Sequence, residues 1–205
     1  MDYFTLKERE SQEKFRAFRD RCFRPLLELL AHAGVNPNHV SSLGVICLLA
    51  ACLLDHTHYL LAAVLLLLYL LMDAVDGPLA RRLGKSHEGG SIVDMLADQI
   101  GVVAVPAGSV WHLNANGVAA LVFSTGYLVL IVLAVLENEL REYKPRTFVR
   151  VKYPVYALYV VALYQNGAML LDWTFAVFAL YYWWEVYART GRIYDYYRRD
   201  RRGNE

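Results

Sequence analysis

Apolar residues along this chain fall into six runs parted by short polar connections: about Val40–Leu54, Tyr59–Val75, Ser91–Trp111, Val118–Leu136, Tyr153–Tyr164 and Ala168–Tyr187. Such runs predict membrane-spanning helices, because a helix needs about 20 apolar residues to cross the hydrocarbon core. The first and fifth are short for that and would extend into flanking polar turns. Asp172 interrupts the start of the sixth and is expected at the interface. Ahead of the runs, Phe4, Phe15, Phe18, Phe23, Leu26, Leu27 and Leu30 alternate with Lys7, Lys14, Arg16, Arg19, Arg21 and Arg24. This predicts an amphipathic helix on an anionic membrane surface, broken near Pro25, rather than a helix packed on a soluble partner. Val35 to Ser41 reads as a turn into the first run, with Ser41 a candidate cap. The expectation is an all-α integral membrane protein with six transmembrane helices and an N-terminal amphipathic juxtamembrane helix. Residues 1–205 form one domain: 1–34 the interfacial helix, 35–189 the membrane bundle, 190–205 a tail.

Composition agrees: 57% of the 205 residues are hydrophobic, above globular norms. The net charge of +1 says nothing as a total, but its placement is informative. All 21 Lys and Arg residues lie before run one, between runs two and three, between four and five, or from run six onward. The opposite connections, Asp55–His58, His112–Gly117 and Gln165–Gly167, contain none. Positive charge marks the cytoplasmic side, which predicts a multi-pass protein of the cytoplasmic (inner) membrane with both termini inside. Cys22, Cys47 and Cys52 have no metal-site spacing, and the latter two read as small packing residues. The charged first forty residues resemble no cleavable signal peptide, so the first span is expected to remain as an anchor. No nucleic-acid partner is expected.

The chemistry concentrates where run two ends. Asp73, Asp76, Gly77, Ala80 and Arg81 fall at i, i+3, i+4, i+7 and i+8, one stripe of a helix. Gly90, Asp94 and Asp98 make a second stripe at i, i+4 and i+8. Pairing these helices through the turn Arg82–Gly89 would let all four carboxylates converge. Carboxylates are costly at a bilayer edge and repel one another, so a divalent cation is implied. Oxygen donors suit Mg²⁺, Mn²⁺ or Ca²⁺ over zinc. Gly77 and Ala80 leave room for a ligand, and Arg81 offers a fork of donors for phosphate. Pro78 removes the bond to the Ala74 carbonyl, between two of the aspartates. The set points to metal-assisted chemistry on a phosphate ester or pyrophosphate.

Written as a pattern, the stretch reads D-x2-D-G-x2-A-R-x8-G-x3-D-x3-D. This resembles, without mismatch, the signature of the CDP-alcohol phosphotransferase family of membrane lipid-synthesis enzymes. Pro37, Asn38 and Ser41 match the Pro-Asn-x-x-Thr/Ser element that family members carry near the nucleotide. The resemblance implies transfer of a phosphatidyl group from CDP-diacylglycerol to a polar, in some members phosphorylated, alcohol, with release of CMP. It implies that Asp73, Asp76 and Asp94 hold one or two divalent cations, Mg²⁺ or Mn²⁺. Asp98 matches the general base and would also touch a second metal. Gly77, Ala80, Arg81 and Gly90 would line the nucleotide and diphosphate site. His87 lies in the turn where members contact the nucleotide, although a lone loop His is more often incidental.

Arg146, Arg150 and Lys152 stand where members with phosphorylated acceptors hold that phosphate, and equally where ordinary flanking charge is expected. Tyr181, Tyr182, Trp183, Trp184 and Tyr187 read as an interfacial aromatic belt rather than a substrate box. Members are commonly homodimers, which these residues neither support nor deny. A CDP-choline or CDP-ethanolamine enzyme with a lipid acceptor shares the motif. A divalent-cation transporter is disfavoured by the absence of a repeat and by the cluster's place at one end. A silent scaffold is disfavoured by the four intact carboxylates.

Overall fold

The apolar runs become helices whose ends are set by local chemistry. A computed structural model describes residues 20–85, 88–139 and 148–203. Residues 1–19 of the expected interfacial helix, together with His87 and Arg146, lie outside the described residues. The elements are α1 (Arg24–His32), α2 (Pro37–Cys52), α3 (Tyr59–Arg82), α4 (Glu88–Leu113), α5 (Gly117–Glu139), α6 (Lys152–Gln165) and α7 (Met169–Gly203). A single 3-10 turn, His56–His58, leads into α3, and the described residues contain no strand.

The break near Pro25 is present. The backbone leaves the helix at Phe23, and Pro25 sits in the first turn of α1, where a missing N–H removes no helical bond. Asn36, not Ser41, caps α2: its side chain accepts the Asn38 N–H at 3.2 Å, with Pro37 in the first turn. Four helices close through a left-handed residue, Gly34 (φ 67), Gly84 (φ 64), Asn114 (φ 53) or Asn166 (φ 50). After three of them the next amide reaches five residues back: Val35 to Leu30 (3.1 Å), Lys85 to Ala80 (2.9 Å) and Gly167 to Ala162 (3.0 Å).

α2 packs on both α3 and α4, α5 packs on α7, and α6 touches α3, α4 and α7. The consecutive helices α3 and α4 make little direct contact among the described residues and are bridged by α2 and α6. The main core includes Leu48, Val105, Leu130, Tyr159, Leu163 and Phe175; Cys47 and Cys52 pack into it as small apolar residues. A second cluster, Leu27, Val75 and Leu79, seats α1 against the end of α3. There Arg24 and Arg82 hold the Glu28 carboxyl below the usual carboxylate range.

The close approach of α4 to α2 and α6 depends on glycine. A Cβ on Gly108 would stand 2.8 Å from the Cys52 carbonyl oxygen and 2.9 Å from the Tyr159 hydroxyl. Gly108→Ala is therefore expected to cost about 1–3 kcal/mol by overpacking, read as a lower unfolding midpoint in detergent. Gly191→Ala, where nothing lies within 4 Å, is the control that should not lower it.

Three helices, not six, are long and apolar enough to cross a membrane among the described residues: His56–Arg82, Ile92–Leu113 and Gly117–Glu137. A fourth would arise if α1 and α2, bent by 114°, count as one broken span. The expected first and fifth spans fall short because α2 has 16 residues and α6 has 14. α7 is long enough at 35 residues, but its apolar half is rich in Tyr and Trp and carries Asp172 and Glu185. It also runs unbroken to Gly203, so the expected tail continues the last helix. The chain is an all-helical protein with several apolar helices exposing Leu, Val and Ile, as an integral membrane protein does.

The aromatic run on α7 is not one belt. Tyr182 is fully buried against Phe123, Tyr127 and Phe178, while Trp184 and Tyr187 are exposed. Asp172 accepts the Asn116 N–H at 2.7 Å and so secures the start of α5.

Candidate active site

Where α3, α4 and α6 meet, carboxylate oxygens of Asp73, Asp94 and Asp98 lie within 4.8 Å of one another. Asp73 comes from α3, and Asp94 and Asp98 from successive turns of α4, which places the two stripes face to face. Asp94 is exposed and the other two are partly buried, so the cluster opens outward. Hard oxygen donors this close repel unless positive charge joins them, and the trio fits a divalent cation.

Not all four aspartates converge. Asp76, buried at 8% exposure, accepts from the Ser41 hydroxyl at 2.5 Å through Oδ2. Its Oδ1 accepts the Gly77 N–H at 2.6 Å. Residues three apart are offset by about 60° around a helix, enough to turn Asp76 toward α2 while Asp73 faces α4 and α6. Ser41 of the Pro37-Asn38-x-x-Ser41 element thus reaches the site through Asp76; Pro37 is buried in the first turn of α2 and Asn38 is exposed.

Lys152 opens α6 and enters the cluster. Its ammonium bonds Asp98 and lies 3.8 Å from Asp73, with the side chain only 6% exposed. Tyr69 and Tyr153 flank it, their rings 5.8 Å and 4.8 Å from Nζ. Their hydroxyls donate to the same carboxylates, Tyr69 to Asp98 at 3.4 Å and Tyr153 to Asp73 at 3.3 Å. Lys152 therefore belongs to the carboxylate cluster as much as to an acceptor pocket. Beside it, Met95, Asp98, Gln99, Tyr127, Ile131, Arg150, Lys152 and Tyr153 line a cavity of about 80 Å³.

The other predicted residues are placed less centrally. Gly77 and Ala80 stay half-buried on α3, and Gly90 is half-buried near the start of α4. Arg81 forks onto Asp20 at 3.0 Å and 3.2 Å, away from the trio. Sequence reasoning missed Tyr69 and Tyr153, although one stands four residues before Asp73 and the other beside Lys152.

It also missed a buried ion network behind the cavity. Arg189 is fully buried, bonds Glu137 and lies 3.6 Å from Glu185. Arg192 reaches Glu137 at 2.6 Å. The guanidinium groups of Arg189 (5.4 Å) and Arg150 (5.2 Å) both lie over the Phe148 ring, joining the network to the cavity rim. The only sequence hint was the i, i+4 pair Glu185 and Arg189.

The comparisons with known proteins bear on this arrangement. The sequence model of the CDP-alcohol phosphatidyltransferase family matches residues 35–187. A protein named phosphatidylinositol phosphate synthase from Streptomyces avermitilis is 29% identical over 100 residues, covering 47% of this chain and 41% of that protein. One of the same name from Cutibacterium acnes is 31% identical over 98 residues, covering 47% of each chain. The matched stretch thus spans under half the length of these curated relatives. No solved structure matches. With the family match extending over most of the chain and the motif's carboxylates brought together, the protein belongs to the CDP-alcohol phosphatidyltransferase family.

Proposed function

We propose that the protein transfers a phosphatidyl group from CDP-diacylglycerol to a hydroxyl of a polar alcohol, releasing CMP. The observation that carries this is the convergence of Asp73, Asp94 and Asp98 from the two motif stripes. The relatives' name favours an acceptor of the inositol or inositol phosphate class. In the same reading the six runs form one membrane bundle, with the site and both termini on the cytoplasmic side, where the basic residues lie.

A divalent cation, Mg²⁺ or Mn²⁺, held by Asp73, Asp94 and Asp98 would neutralise the diphosphate and the charge developing on CMP. The chain's own residues would do the rest. Asp98 lines the cavity and would take the proton of the acceptor hydroxyl as its oxygen bonds to the phosphatidyl phosphorus. The phosphorus–oxygen bond to CMP breaks as that bond forms, and CMP leaves with the bridging oxygen. An alcohol is a weak nucleophile, so placement beside the phosphorus supplies much of the rate. Arg150 at the cavity rim would receive an anionic acceptor group, and Arg146 would join it. Asp76 and Ser41 would keep α2 seated on α3 beside the nucleotide site, which Pro37, Asn38, Gly77, Ala80, Arg81, His87 and Gly90 would border.

The test is CMP release by purified protein in detergent with CDP-diacylglycerol, Mg²⁺ or Mn²⁺, and a panel of inositol phosphate, inositol, glycerol 3-phosphate, serine and choline. Release with one inositol-class acceptor, lost to background on chelation with EDTA, is expected. Release with CDP-choline and diacylglycerol instead would move the protein to the lipid-acceptor branch. Failure to bind any CDP compound would sink the enzyme reading.

A further inference from the structure

We propose that Tyr156 is a positioning residue for Asp98: its hydroxyl end fills a notch left in α4 by Gly101, and this seating fixes α6 and Tyr69 against the carboxylate. The proposal rests on the reading that Asp98 takes the acceptor's proton. Gly101 stands three residues after Asp98, about one turn along the same helix. A Cβ at Gly101 would overlap the Tyr156 hydroxyl and stand 3.0 Å from its Cζ and 3.1 Å from Leu48 Cδ2. Only glycine lets Tyr156 lie where it does, buried at 2% exposure.

Tyr156 carries one wall of the site with it. It follows Lys152 by four residues and Tyr153 by three, so the three share one side of α6. Lys152 bonds Asp98, and Tyr153 donates to Asp73. The Tyr156 ring also meets Tyr69 edge to face, centroids 5.9 Å apart, and the Tyr69 hydroxyl donates to Asp98 at 3.4 Å. Pushing Tyr156 out of the notch therefore moves the groups that hold the base. A second tyrosine meets a second glycine on the same two helices, Tyr159 at Gly108. Gly108 lies ten residues beyond Asp98, about 15 Å along α4. The two contacts are alike in kind but differ in distance from the base, which separates holding α6 in the fold from holding it at the site.

CMP release and SDS-titrated unfolding of the purified full chain in detergent test this together, at saturating CDP-diacylglycerol and Mn²⁺. Gly101→Ala should lower kcat per folded chain by about 10²-fold, the cost of an ångström-scale misplacement at reacting groups. Gly108→Ala, an overpacking change of the same kind farther away, should keep kcat per folded chain within about threefold of wild type. Combining Gly101→Ala with Tyr156→Phe should recover most of the loss in kcat and in unfolding midpoint, because the added methyl group then takes the place of the missing oxygen. Should Gly101→Ala fold poorly, Tyr156→Leu empties the notch instead and should lose at least about tenfold in kcat. Equal losses of kcat in Gly101→Ala and Gly108→Ala overturn the positioning role while the reaction stands. So does a double variant that regains its unfolding midpoint without regaining kcat, or a Tyr156→Leu variant as fast as wild type. No CMP release by the wild type with any acceptor removes both.

Discussion

Asp98→Asn is expected to lower CMP release by about 10²–10⁴-fold, the range a positioned general base supplies. The substitution keeps the shape of the side chain, and its amide oxygen can still accept from Lys152 and Tyr69, which now bond the carboxylate. What is lost is a group able to take the hydroxyl proton at the cavity wall. The loss should persist in kcat at saturating CDP-diacylglycerol and saturating Mn²⁺, which separates the missing base from weaker holding of the cation that Asp98 also serves. Elution as a single species on size exclusion and an unchanged helical signal would show that the fold survives. A variant keeping more than roughly a tenth of the wild-type rate would return Asp98 to a purely structural or metal-holding role.

Arg189→Met should be the most destabilising single change away from the cluster. Glu137 and Glu185 are 1% and 3% exposed, and Arg189 stands between them at 0%. Removing one partner of a buried ion pair leaves an uncompensated charge and typically costs 3–5 kcal/mol, so a loss of about that size is expected in an SDS-titrated unfolding measurement. Arg192 still reaches Glu137 from a more exposed position, which should hold the loss toward the lower end. Adding Glu137→Gln to Arg189→Met should recover part of it, because the stranded carboxylate is neutralised. An unfolding midpoint equal to wild type would mean that the network is solvated rather than buried. Arg189→Met should also remove one of the two cations on the Phe148 ring and loosen Arg150, raising the KM of an anionic acceptor more than that of CDP-diacylglycerol.

The site was legible wherever the argument needed only helical periodicity. Asp73 and the pair Asp94 and Asp98 fall on stripes that the structure turns toward each other, as their spacing implied. Periodicity says which face a residue occupies but not which neighbouring helix that face meets, and so Asp76 was grouped with Asp73 although it faces Ser41. Lys152 lies 54 residues from Asp98, and no local pattern links them; read along the chain it was one flanking charge among several. Arg189 and Arg192 looked like the start of a basic tail because their carboxylate partner Glu137 sits on another helix. The number of spans rests on a weaker signal. An apolar run signals burial in protein as well as in lipid, and α2 and α6 are short helices wedged among their neighbours.

The continuity of α7 has a geometric consequence. Its 35 residues make a rod of roughly 50 Å at 1.5 Å per residue. In the proposed membrane bundle, where the sixth run is a span, the hydrocarbon slab of about 30 Å takes up only part of that length and about 20 Å would project beyond it. Arg189 ties this rod to Glu137 and lies over the Phe148 ring that Arg150 of the cavity rim also meets, so the long helix and the cavity wall share one aromatic contact.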